Sequence, residues 1–219
     1  SGRQEIATAL VNHDRIGDVV ERLRAALSGG MRAYWICPLV EETEKLDATA
    51  AEDRHRHLCT LLPDAHPVLA HGQMKSVDRD AAMQAFTTGA SRLLVATTII
   101  EVGVDVPEAG IIIIEHAERF GLAQLHQLRG RVGRGNIASS CILMYQGPLS
   151  ETAGARLKIV RNTNDGFEIA EEDLRLRGPG EVLGRRQSGM PEFSLADLSE
   201  HAPLLGLARD EAHKAVAAG

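Results

Sequence analysis

Two apolar segments in the middle of the chain constrain its fold most strongly. They are "RLLVATT" (92–98) and "GIIIIE" (110–115), and neither alternates between apolar and polar residues. Such a pattern is typical of strands in a parallel sheet that helices cover on both faces. Shorter strands are predicted near 6–11 and at 33–40, 67–70 and 140–145. Helices are predicted between them, at 14–28, 52–62, 77–87 and 121–131. Ser76 is the predicted N-cap of the helix over 77–87.

The regular alternation of strands and helices predicts an α/β fold with a mostly parallel sheet over residues 1–147. From residue 148 onward the sequence changes character, and we predict an appended segment of helices and loops over 148–219. The stretch 175–193 is rich in glycine, proline and arginine, and a last amphipathic helix is predicted over 203–217. We therefore expect two domains, divided near residue 147.

The number and spacing of the cysteines, together with the hydropathy of the chain, indicate the cellular compartment of the protein. The chain has three cysteines, Cys37, Cys59 and Cys141, which are widely spaced and form no CxxC pair. An odd number without a pairing pattern suits a reducing environment and argues against a disulfide framework. No apolar run approaches the roughly 18 residues that a membrane span needs. The sequence predicts a cytoplasmic protein without membrane contact.

Charge is unevenly distributed along the chain, whose formal net charge is −6. Residues 41–53 carry six acids and one lysine, for a local charge of −5. Two segments are basic instead: 119–134 has a local charge of +4 and 175–189 of +3, mostly from arginines. The distribution of charge, more than its sum, indicates where an anion binds. We expect an anionic ligand at these two segments.

The stretch "QLRGRVGRG" (127–135) sets three arginines among three glycines. On a helical turn Arg131 and Arg134 are three residues apart and point the same way. A planar guanidinium suits a phosphate, and such a group can stabilise the charge that develops on a transferring γ-phosphoryl group. From spacing alone, a solvated basic helix end with surface salt bridges explains the pattern equally well.

The neighbouring loops favour a ligand site. In "ATTIIEVGVDVPEA" (96–109), Thr97, Thr98, Glu101 and Asp105 are predicted at the C-terminal edge of a buried strand, and "AHGQM" (70–74) ends another strand in the same way. In open α/β sheets ligands bind at the carboxyl edge of the strands, which is where these loops are predicted to lie.

The chain resembles a known family at these loops. "AHGQM", "VATTIIEVGVDVPEA" and "QLHQLRGRVGRG" resemble motifs IV, V and VI of the second motor lobe of superfamily 2 helicases. "PLVEETEKLD" (38–47), "NDGFEIAEEDLRLRGPGEVLG" (164–184) and "RRQSGMPEF" (185–193) resemble the RecG family of bacterial fork-reversal helicases. The resemblance covers nearly the whole chain and implies a RecA-like helicase C-terminal lobe with a C-terminal appendage.

The resemblance also implies roles for individual residues. Arg134 takes the place of an arginine finger, beside Arg131 and Gln127 of motif VI. The other matching positions are Gly103 and Asp105 at the nucleotide and interlobe cleft, Thr97, His71 and Gly72 at the DNA, and Arg185, Arg186 and Gln187 in the translocation motif.

Half of an ATP site is not found in the sequence. "LAHGQMKS" (69–76) has Leu69 and Met74 where a phosphate-binding loop needs glycines. "DEAH" (210–213) lies in a helical pattern after motif VI, so we predict that it is not catalytic. In "RHRHLC" (54–59) the possible metal ligands are two residues apart in sequence. Side chains with this spacing diverge on a helix, so no metal site is predicted. We expect ATP and Mg²⁺ to be held mainly by a first lobe, and this chain alone to be inactive.

By this resemblance the chain is part of an ATP-dependent DNA helicase that remodels branched DNA, such as stalled forks and Holliday junctions, in recombination and repair. The implied partners are branched double-stranded DNA, a first lobe and wedge domain of the same polypeptide, and single-strand-binding protein; a monomer is expected. There are two alternatives: a lobe of a transcription-repair coupling translocase, and a stand-alone nucleic-acid-binding module. The first is disfavoured because that family is expected to have a glutamate, and not Arg186, before "QSG".

Overall fold

The computed structural model describes residues 6–38, 44–97, 106–133 and 137–182. The described strands form one six-stranded sheet in the order β1-β6-β5-β2-β4-β3, and every pair in it is parallel. The strands are β1 (Ile6–Asn12), β2 (Arg32–Cys37), β3 (Val68–Ala70), β4 (Leu93–Thr97), β5 (Ala109–Ile114) and β6 (Ser139–Tyr145). The predicted parallel α/β architecture is confirmed.

Four of the described helices lie between strands, and two follow the last strand. The helices are α1 (Ile16–Ser28), α2 (Glu44–Leu61), α3 (Ser76–Thr88), α4 (Leu122–Arg129), α5 (Glu151–Asn162) and α6 (Gly166–Val182). Short 3-10 turns lie at His13–Arg15, Pro63–Ala65 and Ala117–Arg119. In the described part of the chain, no helix has the length and apolar character to cross a membrane.

Most helix ends lie close to their predicted positions, with two exceptions. The helix predicted over 52–62 begins at Glu44, so that part of the acidic segment is helical. The prediction for Ser76 is wrong: Ser76 is the first helical residue, and Lys75 occupies the N-cap position without a side-chain cap. The Lys75 carbonyl accepts the first backbone hydrogen bond of the helix, from the N–H of Arg79.

The strands bury side chains on both faces of the sheet. In β2, Trp35 packs with residues of α1 and α2, whereas Tyr34 packs with residues of α3, α4 and α5. All residues of β4 and β5 are buried. Because successive side chains of a strand point to opposite faces, continuous burial requires helices on both sides. This arrangement explains why the two central segments do not alternate in sequence.

The helices after residue 147 share this core. Leu157 and Val160 of α5 and Ile169 of α6 belong to the same buried cluster as Leu125 of α4. The compact unit formed by the strands extends from Ser1 to Pro179, and Gly180–Gly219 form a second unit. The predicted boundary at residue 147 therefore falls ahead of two helices that pack against the sheet unit.

Two residues of α3 provide a test of this packing. Phe86 is fully buried against Tyr34, with ring centroids 5.0 Å apart, whereas Val77 on the same helix is 75% exposed. We expect Phe86→Ala to lower the free energy of unfolding by about 3–5 kcal/mol, because it removes a buried ring and leaves a cavity. Val77→Ala should change it by less than about 0.5 kcal/mol. Urea unfolding monitored by circular dichroism measures both, and equal effects would contradict the described core.

Candidate functional site

The carboxyl ends of the strands meet at one edge of the sheet, because all strands run in the same direction. Thr97 ends β4, His71 and Gly72 follow β3, and Glu115 follows β5. Thr97 pairs in register with Cys37, the last residue of β2. The predicted gathering of polar residues at this edge is therefore present for the part of it that the structure describes.

The turn after β3 presents backbone more than side chain. His71 is only 5% exposed, and its Nε2 lies 3.5 Å from a carboxylate oxygen of Glu52 on α2. Gly72 and Gln73 are exposed. The Met74 N–H donates to the His71 carbonyl and closes the turn. His71 therefore fixes the turn from inside, and Gly72 is the predicted DNA-contacting residue whose backbone is open to solvent.

The helix α4 carries the start of the arginine-rich stretch. Leu122 and Leu125 are buried and anchor it to the sheet, while Gln127 is exposed. The backbone N–H of Gly121, the N-cap residue, donates to Gln124 Oε1 at 3.0 Å. This hydrogen bond stabilises the first turn of α4. Arg131 is half-buried and follows the helix in a turn, with its N–H bonded to the Leu128 carbonyl.

The argument that Arg131 and Arg134 point the same way on a helical turn is not supported. The helix ends at Arg129, and Gly133 has a φ of 79°, in the left-handed region. A residue with a Cβ rarely adopts this conformation, which accounts for glycine at this position. A left-handed residue between the two arginines breaks the helical spacing on which the argument rested.

Arg129, which counted as part of the basic surface in the sequence, is buried. It is 2% exposed, and its Nη1 donates to the carbonyls of Val160 at 2.5 Å and Thr163 at 2.8 Å. Its Nη2 lies 3.1 Å from Nδ1 of His126. These carbonyls belong to the C-terminal end of α5, where helix carbonyls lack intrahelical partners and attract a cation. Arg129 therefore joins α4 to α5 and is unavailable to a ligand.

A second arginine secures the other end of α4. Arg156 of α5 donates from Nη1 to the Phe120 carbonyl at 3.1 Å and from Nη2 to the Glu118 carbonyl at 3.2 Å. Both carbonyls lie just before α4. The helix that leads to Arg131 is thus attached to α5 at its two ends.

A polar cluster centred on Glu115 was not predicted from the sequence. This carboxylate is buried and accepts a short hydrogen bond from the Trp35 indole N–H. Arg54 of α2 pairs with it through Nε at 2.5 Å and Nη2 at 3.1 Å. His13 Nε2 lies 3.7 Å from its Oε2, and the rings of His13 and His116 stack with centroids 5.3 Å apart. The only sequence signal was an acid directly after "IIII".

The two buried cysteines of the sheet, Cys37 and Cys141, are not candidate nucleophiles. Burial, and to a lesser extent the nearby Glu115 carboxylate, raises the pKa of Cys37 well above its usual range, while the charge of Arg54 opposes this shift. Burial likewise raises the pKa of Cys141 to about 12. Both remain neutral thiols near pH 7 and pack as small apolar groups.

Several predicted residues lie outside the described residues. They are Arg134, Gly103, Asp105, Arg185, Arg186 and Gln187, together with the "DEAH" stretch at 210–213. Their assigned roles stay predictions.

Comparison with known proteins matches two families. The helicase conserved C-terminal domain matches residues 18–136, and the C-terminal part of domain 3 of the ATP-dependent DNA helicase RecG matches residues 163–218. The chain is 53% identical to ATP-dependent DNA helicase RecG of Escherichia coli O157:H7 over 90% of its length, and 47% identical to that of Bacillus subtilis over 99%. It spans only 29% and 32% of these two relatives.

Solved structures agree with the fold. A structure of RecG bound to a three-way DNA junction matches with a TM-score of 0.71 and 41% identity, covering 93% of this chain and 26% of that one. The DNA-bound helicase MrfA matches with a TM-score of 0.55 at 15% identity, over 72% of this chain and 23% of that one, which shows a shared fold alone.

The Arg129 contacts predict a stability effect. We expect Arg129→Met to lower the free energy of unfolding by at least about 2 kcal/mol, because the buried Val160 carbonyl and the partly buried Thr163 carbonyl lose a charged donor. Arg119 is an exposed arginine in the same basic segment, and Arg119→Ala should change stability by less than about 0.5 kcal/mol. Thermal and urea unfolding compare the two variants. An Arg129→Met protein as stable as the parent would show that these contacts are dispensable.

Proposed function

Since the chain belongs to the helicase conserved C-terminal domain family and continues into a RecG-type segment, we propose that it is the second motor lobe of an ATP-dependent helicase acting on branched DNA. The observation that carries the proposal is the match, at 41% identity over 93% of the chain, to a RecG structure bound to a three-way DNA junction. Stalled forks and Holliday junctions are likewise branched DNA. Remodelling them would serve recombination and repair.

In this proposal ATP is hydrolysed between this lobe and a first lobe that holds its phosphates and Mg²⁺. Arg134 acts as the arginine finger, while Arg131 and Gln127 contribute to the same side of the cleft. The exposure of Gln127 and the partial exposure of Arg131 support this role. A guanidinium placed at the γ-phosphoryl group stabilises the charge that develops in the transition state. Gly103 and Asp105 complete the interlobe contacts.

The DNA track is proposed at the carboxyl edge of the sheet. Gly72 offers an exposed backbone in a turn that His71 and Glu52 hold in place, and backbone N–H groups are common phosphate donors. Thr97 lies at the end of the adjacent strand β4. Contacts of this kind set the position on DNA without reading its sequence, which suits a translocase.

Coupling of hydrolysis to movement is proposed to pass through the helices that follow the sheet. Arg185, Arg186 and Gln187, the proposed translocation residues, come directly after α6, which ends at Val182. Arg129 joins α4 to the carbonyls of Val160 and Thr163, just ahead of α6. A displacement of α6 would therefore be transmitted to the helix that leads to the motif VI arginines.

The test is made in the full-length helicase that carries this lobe. We expect Arg134→Ala to reduce DNA-stimulated ATP turnover by a factor of about 10³ or more, because the transition-state charge loses its guanidinium. Binding to a three-way junction, measured by fluorescence anisotropy at fixed salt, should stay near the parental value. Arg119→Ala, an arginine removed from the same basic segment, should leave both quantities close to parental.

Parental turnover in the Arg134→Ala protein would refute the arginine-finger assignment. Loss of junction binding together with turnover would mean that Arg134 serves the DNA and not the nucleotide.

A further inference from the structure

We propose that His13, Glu115 and His116 form a binding site for a divalent transition-metal ion, for which zinc is the natural probe. The three residues lie where β1 and β5 end, at the carboxyl edge of the sheet. One potential ligand atom from each lies within 4.8 Å of those of the other two. The site is separate from the Mg²⁺ of an ATP complex, because two imidazoles and one carboxylate are not the all-oxygen set that Mg²⁺ prefers.

The distances are close to those that a zinc ion needs. Zinc bonds of about 2.0–2.1 Å in a tetrahedron place neighbouring ligand atoms roughly 3.4 Å apart. His13 Nε2 and Glu115 Oε2 are already 3.7 Å apart. The ligand atom of His116 lies within 4.8 Å of the other two, and the stacked rings of His13 and His116 must turn towards each other to bring it to the same distance. Two histidines and a glutamate leave the fourth position to water, as in zinc sites with three protein ligands.

The hydrogen-bond pattern around the histidines supports a cation. His13 Nε2 is buried and has no hydrogen-bond partner among the described residues. A buried polar nitrogen without a partner is costly, and a metal ion satisfies it. His116 Nδ1 lies 3.1 Å from Glu118 Oε1. A carboxylate on the second ring nitrogen is the usual outer partner of a metal-binding histidine, since it fixes the ring and raises its basicity.

Arg54 is the group that competes with a metal at this site. Its Nε and Nη2 both contact Glu115, and the carboxylate also accepts from Trp35. Arg54 Nη2 and the Trp35 N–H donate hydrogen bonds that fix the carboxylate, and the charge of Arg54 balances that of Glu115. The positive charge of Arg54 also repels a metal ion at the site. The geometry therefore predicts that a neutral residue at position 54 strengthens metal binding.

A metal at this position would connect two segments of the fold. His13 lies in the 3-10 turn between β1 and α1, while His116 and Glu118 lie in the loop between β5 and α4. Binding would fix the loop that begins α4, whose carbonyls Arg156 already holds. Zinc should accordingly raise the thermal stability of the protein.

Trp35 provides a direct signal for the experiment. It is the only tryptophan in the chain, and its indole N–H donates to Glu115. We expect zinc chloride to change Trp35 fluorescence with a stoichiometry of one ion per chain, as counted by competition with a chromophoric chelator. His13→Gln and His116→Asn should each weaken zinc binding at least about tenfold, the effect of losing even an outer partner of a metal ligand.

His66→Asn is the matched control. His66 and His116 share a left-handed φ of 47°, which asparagine tolerates, but His66 lies before β3 at the opposite edge of the sheet. His66→Asn should keep parental zinc affinity, and Arg54→Gln should show tighter binding and a larger rise in melting temperature with zinc.

Two outcomes would overturn the proposal. The first is no zinc binding by the chain. The second is zinc binding of unchanged affinity in the His13→Gln and His116→Asn variants, or zinc binding that does not alter Trp35 emission. Either result would assign the ion to other histidines. Circular dichroism of each variant confirms that a loss of binding is not a loss of fold.

Discussion

The common direction of the six strands determines where this protein can act. Because all of them are parallel, their carboxyl ends lie at one edge, and residues at the ends of β1, β3, β4 and β5 reach that edge from distant parts of the sequence. His13, His71, Thr97 and Glu115 all lie at this edge. Helices bury both faces of the sheet, so function is confined to its edges and to the loops that leave them.

The arginines of the basic segment have different tasks. Arg129 is buried and holds α4 against the end of α5, whereas Arg131 is half-buried in the turn after α4. A guanidinium that binds carbonyls inside the protein cannot bind a phosphate at the same time. Its structural role still serves the proposed motor, because a rigid attachment of α4 is a condition for placing the next arginines accurately.

The fold was largely predictable from the sequence because the central strands are apolar throughout and α1 has a clear apolar face. The burial of Arg129 was not predictable, since its partners are the carbonyls of Val160 and Thr163, and backbone groups leave no trace in residue types. The Glu115 cluster was missed for a related reason: Trp35 and Arg54 are distant in sequence, and only the sheet order brings them together. The helical spacing assumed for Arg131 and Arg134 is interrupted at Gly133, which has a positive φ. Glycine adopts negative φ as readily, so the residue type alone does not predict this conformation.

The most direct test of the proposed two-lobe motor is the ATPase rate of this 219-residue chain, with and without a three-way DNA junction. Full-length RecG from Escherichia coli serves as the positive control, and the chain carrying Arg134→Ala as the background. The account predicts no turnover above background in either condition, because one lobe supplies arginines but no phosphate-binding loop. DNA-stimulated turnover that Arg134→Ala abolishes would contradict it, and would mean that the chain holds the ATP phosphates by itself.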